Sequence, residues 1–153
     1  MRDKYELELG QWIDNERAAL ELLETASKLQ LNKSVELVLF RRKLYDKRLS
    51  EIINDHVYVA KFSGIDLTLD VTLNLTRALN KLDLAPSKID LGRLSKEWLE
   101  EGKNFPDFDA FVTEKLKDFI GVQKRVLKPR DIVLYGFGRI GRLAARVLIE
   151  HAG

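Results

Sequence analysis

Seven residues near the C-terminal end of the sequence have the spacing of a phosphate-binding turn: Gly136-Phe137-Gly138-Arg139-Ile140-Gly141-Arg142. Glycines at the first, third and sixth positions, set between a strand and a helix, let a backbone close around a pyrophosphate. Each glycine has its own task. Gly136 permits the tight turn out of the strand, Gly138 leaves room for a phosphate against the main chain, and Gly141 lets the helix lie close. The N–H groups near Arg139 and Ile140 would face the anion, helped by the positive end of the helix dipole. Arg139 and Arg142 add formal charge there. Gly136, Phe137, Gly138, Arg139, Ile140 and Gly141 are therefore the candidate cofactor-binding residues, and the cofactor class is a dinucleotide.

The flanking residues suit that assignment. Asp131-Ile132-Val133-Leu134-Tyr135 reads as a short apolar strand of the kind buried on both faces in a parallel sheet. After the glycines a helix carries Leu143, Val147 and Leu148 on its packing side, with Ala144 and Ala145 where close approach would help. Residues 122–130 read as a basic linker, in which Pro129 discourages helix at Lys128. From Gly121 onward seven basic side chains face two acidic ones, so this part carries +5 and the first 120 residues −3. A basic arm on an acidic body suits an anionic ligand or an acidic partner surface.

The first 120 residues must supply the scaffold. Leu9, Trp12, Ile13, Ala19, Leu20, Leu23 and Ala26 recur at three- and four-residue steps and predict a helix over 3–30. Residues 34–40 fit both a strand and a helix, and helix is the preferred reading. A helix over 46–62 sets Leu49, Ile52, Ile53 and His56 on one face, with His56 a structural residue. Residues 65–69 alternate as an extended segment, and a helix follows to Leu82 with Asp70 as its N-cap. Pro86 and Ser87 mark a turn. Asp90 caps a helix that turns Leu91, Leu94, Trp98 and Leu99 inward and ends at Gly102. A last helix over 107–120 carries Phe108, Phe111, Val112, Leu116, Phe119 and Ile120, and Gly121 ends it. About five one-sided helices with short connections predict a helical bundle.

Composition narrows the function classes. The sequence has 153 residues, of which 45% are hydrophobic and 33% charged, the balance of a soluble globular protein. No apolar run approaches the ~20 residues that span a bilayer. The start lacks the apolar core of a signal peptide, so the cytoplasm is the expected compartment and no membrane partner is expected. With no cysteine there is no disulfide, thiolate metal site or thiol nucleophile. The two histidines, His56 and His151, lie far apart, and no metal site is expected. Nothing in the first 120 residues reads as catalytic.

The residues Val133-Leu134-Tyr135-Gly136-Phe137-Gly138-Arg139-Ile140-Gly141-Arg142 closely resemble the opening of the NAD-binding domain of glyceraldehyde-3-phosphate dehydrogenases. Ordinary members begin close to that strand, whereas about 130 residues precede it here. That resembles the long form, with a helical N-terminal extension, and residues 35–53 and 75–91 are more loosely similar to that extension. The resemblance implies a mainly α fold in three parts. These are a helical extension domain at 1–121, a linker at 122–130, and the first strand-loop-helix of a truncated Rossmann (α/β) domain at 131–153. It implies NAD or NADP as cofactor and a homo-oligomer in the complete protein.

Departures from the family set the expectation for this chain. The family's cysteine nucleophile and histidine base have no counterpart here, and His151 lies on the cofactor helix. The acidic residue that would hold the adenosine ribose falls beyond Gly153. The chain alone is thus expected to bind a dinucleotide weakly or not at all and to turn nothing over. Two other readings stand beside this one. A D-2-hydroxyacid dehydrogenase also uses Gly-x-Gly-Arg-Ile-Gly, though with strands before it. A non-catalytic helical module could dock its basic arm on an acidic partner, although no nucleic-acid-binding motif is present.

Overall fold

In the computed structural model the described residues are 2–122 and 131–151, with side chains described for 5–122 and 131–150. The first element is a long helix, α1 (Arg2–Lys33), and only its second half meets the body. Ala18, Ala19, Leu22, Thr25, Ala26 and Leu29 are buried there. The face predicted from the larger side chains is corrected accordingly: Leu9, Trp12, Ile13 and Leu20 are exposed. Ala19 and Ala26 of that face are buried as expected and Leu23 is half-buried, but the packed line is turned toward Ala18, Leu22 and Leu29. Ser34, at φ 54°, turns the chain out of the helix.

Residues 34–40 are not helical. Val35–Leu39 form a strand, β1, which pairs antiparallel with β2 (Arg42–Lys43) and parallel with β3 (Ser87–Asp90), giving the order β2-β1-β3. β3 begins where the sequence suggested only a turn. The body is therefore a set of helices around a small mixed sheet, not a helical bundle alone. The β1–β2 hairpin turns on Phe40 and Arg41, both at positive φ, which is the primed turn that matches strand twist. Neither residue is glycine or asparagine, so the turn needs outside support. Asp90 supplies it by accepting the Phe40 N–H at 3.0 Å.

Four more helices complete the body. α2 (Leu49–Ser63) opens with Glu51 accepting the Arg48 N–H at 2.7 Å and closes on Gly64 at φ 65°. α3 (Leu69–Lys81) is capped by Thr68, whose hydroxyl accepts from the Val71 N–H. The predicted cap, Asp70, lies inside the first turn instead. The far end of α3 is held by Lys33, whose Nζ donates to the Asn80 and Leu82 carbonyls at 2.6 and 3.0 Å. α4 (Leu91–Glu101) is capped by Asp90 as predicted, through the N–H groups of Gly92 and Arg93. Gly102 does not adopt the left-handed conformation of a helix-stopping glycine but continues into a 3-10 turn, Gly102–Asn104. α5 (Phe108–Lys115), capped by Asp107, is shorter than predicted and gives way to a second 3-10 turn, Lys117–Phe119.

The core lies where α1, α3 and one face of the sheet meet. Leu22, Leu29, Leu37, Leu75, Leu79 and Leu91 are all fully buried there. Between α4 and α5, Trp98 stacks on Phe108 at 4.0 Å and meets Phe111 edge-on at 5.2 Å, so these aromatics are packing residues. Leu99 and Phe119, expected inside, are exposed. Across the surface of α1 and α3, Arg77 grips Glu21 with two bonds of 2.6 Å.

Candidate functional site

The glycine loop precedes the sixth helix, α6 (Arg139–His151). Residues 131–135, expected as a strand, are described without a partner strand, and Ile132, Val133 and Tyr135 are exposed. A parallel strand needs neighbours for its N–H and C=O groups, and among the described residues none is offered. The apolar pattern is real but the ladder is absent. The basic linker lies, except for Val122, outside the described residues.

The loop itself is closely specified. Gly136 sits at φ 96°, a region that side-chain-bearing residues avoid. A Cβ built on Gly141 would overlap the Gly136 carbonyl oxygen and lie 3.2 Å from its carbon. Gly141 is thus needed because the loop closes on itself, where the sequence had suggested packing against a sheet. Gly138 differs from both, since nothing lies within 4 Å of a Cβ placed there. Its missing side chain serves open space beside the backbone.

The first hydrogen bond of α6 runs from the Arg142 N–H to the Gly138 carbonyl at 3.0 Å. The N–H groups of Arg139, Ile140 and Gly141 precede it, so the helix has no acceptor for them. Arg139, Arg142 and Arg146 follow at steps of three and four, which brings their charge to one side of the helix. Phe137 and Ile140 are exposed. The six residues expected to hold a cofactor are thus one continuous turn. Free donors, positive charge and an open approach at Gly138 fit a pyrophosphate.

The body holds its titratable groups for structural ends. His56 is buried, with Nδ1 2.8 Å from the Ile52 carbonyl and Nε2 2.9 Å from the Thr72 hydroxyl. Burial pushes its pKa down, and the Ile52 carbonyl and the Asp55 charge oppose this only in part. Asp55 is a buried carboxylate that sequence reading did not single out. Burial pushes its carboxyl up, but donors from Lys47 and from Arg42, the latter at 2.6 Å, together hold it below the usual carboxylate range. Arg42 also lies over the Tyr58 ring at 4.2 Å. No local signal marks this cluster, because both cations come from the segment before α2. The His151 side chain is outside the described residues. Among the described residues no three His, Cys, Asp or Glu side chains are grouped to hold a metal, and no helix is long and apolar enough to cross a membrane.

The chain is similar to a dehydrogenase-like protein over most of its length. That relative is the glyceraldehyde-3-phosphate dehydrogenase-like protein of Pseudomonas aeruginosa (strain UCBPP-PA14), with 32% identity over 135 residues. The match takes in 86% of this chain and 29% of the relative, so the chain spans less than a third of that protein. Residues 131–153 are too few to account for such a match, which therefore runs through the helical body. No family model matches the chain.

Proposed function

We propose that this chain is the N-terminal part of a glyceraldehyde-3-phosphate dehydrogenase of the extended kind. Residues 1–121 form its helical extension, 122–130 its linker and 131–153 the start of its NAD(P)-binding domain. The observation that carries the reading is the loop before α6, where Gly136 turns, Gly141 admits the Gly136 carbonyl and Gly138 stays open. The similarity of the body to a relative of that name supports it.

In this reading the N–H groups of Arg139, Ile140 and Gly141 bind the pyrophosphate and Gly138 lets it approach the backbone. Arg139 and Arg142 balance its charge, and Gly136 and Phe137 hold the turn. NAD or NADP bound there would supply the hydride acceptor for oxidation of an aldehyde to an acyl phosphate. This chain's residues bind and orient; with no cysteine among them, the thiol chemistry belongs elsewhere in the complete protein. That protein would be a homo-oligomer.

The test is the product of the complete gene. Expressed and supplied with glyceraldehyde 3-phosphate and inorganic phosphate, it should reduce NAD or NADP, and Gly138→Val should abolish the reduction. A gene that ends at Gly153, or a product that reduces neither cofactor with this aldehyde, overturns the proposal.

A further inference from the structure

The first half of α1 stands clear of the body: every residue from Tyr5 to Asn15 is exposed. A lone helical arm of this length is marginal in water unless something packs against it. It is also not polar all round. Tyr5, Leu9, Trp12, Ile13 and Leu20 recur at helical spacing on one side and are 68%, 45%, 54%, 37% and 59% exposed. Glu16, half-buried, is the polar side chain within that stripe. The line of α1 that packs on the body, through Ala18, Leu22 and Leu29, is a different one, so the stripe is not a frayed part of the core.

What covers the stripe is legible in its own spacing. An antiparallel copy of α1 that sets Tyr5 across from Glu16 also sets Leu9 across from Trp12, because the two pairs share one midpoint along the helix. That pairing joins large apolar side chains and gives the stripe's carboxylate a phenol donor. It repeats itself across a two-fold axis, as an isologous interface must. Within that register the exposed parts of Tyr5, Leu9, Trp12 and Ile13 amount to about 400 Å² in one copy, so two copies bury on the order of 800–900 Å² between them, the size of a weak, concentration-dependent interface.

We propose that two copies of this chain pair through α1, antiparallel, with Tyr5 of each copy donating to Glu16 of the other. The pairing does not depend on the dehydrogenase reading, since it uses no residue of the glycine loop.

Sedimentation velocity of the 153-residue chain tests it. The chain should be a dimer in the micromolar range, and Trp12→Glu should make it a monomer. Trp98 fluorescence should report an unchanged unfolding midpoint for the body of that variant. A monomeric parent chain, or a dimer that survives Trp12→Glu, overturns the proposal. The register is read separately, because the chain has no cysteine. Tyr5→Cys mixed with Glu16→Cys should give a disulfide-linked pair on mild oxidation, and neither variant alone should. Rapid crosslinking of Tyr5→Cys with itself would mean parallel helices and overturns the antiparallel pairing.

Discussion

Replacing Thr72 with valine should destabilise the body through His56, sixteen residues away in sequence but 2.9 Å away in space. The Thr72 hydroxyl lies 2.9 Å from both His56 Nε2 and the Leu69 carbonyl, yet it has one proton to give. His56 decides where it goes. Its Nδ1 faces the Ile52 carbonyl at 2.8 Å and must carry the hydrogen of the neutral ring. Nε2 is then an acceptor, takes the Thr72 proton, and leaves the Leu69 carbonyl to the helix's own N–H groups. Thr72 is fully buried and His56 nearly so, so no water replaces the hydroxyl in Thr72→Val. The expected loss is about 1–3 kcal/mol, the cost of a buried acceptor left without a donor. In a body of this size that is roughly 3–6 °C in Tm for each kcal/mol. Thermal unfolding followed by circular dichroism measures it. His56→Leu combined with Thr72→Val should recover part of the loss, because neither partner is then stranded.

The same geometry fixes a pH dependence. Burial lowers the pKa of His56 from its ordinary 6.5, so the unfolded chain takes up its proton first as pH falls. The contribution of neutral His56 is complete above 6.5 and is lost as pH drops from there through the lower folded value. Stability should therefore decline on acidification from neutrality in the parent chain and decline less in His56→Leu. A neutral Thr72→Val substitution would refute the tautomer assignment, and equal slopes in the two chains would refute the lowered pKa of His56.

Two further substitutions separate local causes. Gly141→Ala forces a methyl into the Gly136 carbonyl, so the complete gene product should lose at least about tenfold in dinucleotide affinity, by calorimetry, with the body's unfolding midpoint unchanged. Thr68→Ala should cost about 1 kcal/mol in urea unfolding because it removes the α3 cap, whereas Asp70→Ala should cost visibly less.

Much of the helical body was legible because its signals are local. Asp90 and Asp107 sit at helix starts that their own side chains cap, and the apolar faces of α3 and α4 recur within a few residues, whereas Gly121 lies beyond the end of the helix it was expected to close. The tight turn read at Gly136 is local in the same way, and its φ is positive. The sheet was not. Val35–Leu39 carries both periodicities, and what makes it a strand is β3, which pairs Val35 with Ser87 from far along the chain. β3 is four residues long and too short for a periodic signal. The inward face of α1 was read only in part: Ala19 and Ala26 are buried, but Leu9, Trp12, Ile13 and Leu20 belong to a second apolar stripe that the body does not cover. Buried Thr72 and Asp55 escape any reading by hydropathy, since His56 reaches Thr72, and Arg42 and Lys47 reach Asp55, only through the fold.

The long-range pairing of β1 bears on how the body is made. β1 leaves the ribosome with only the two-residue β2 beside it, and its other edge waits for Ser87–Asp90. Until then the N–H and C=O groups along that edge of β1 have no strand to pair with, although α1 is already there for its side chains to pack on. One oxygen of Asp90 then closes the β1 turn at Phe40 and starts α4 in the same step. A nascent chain is thus an exposed-strand intermediate for about half of the body's synthesis, and the arrival of a single carboxylate ends that vulnerable interval.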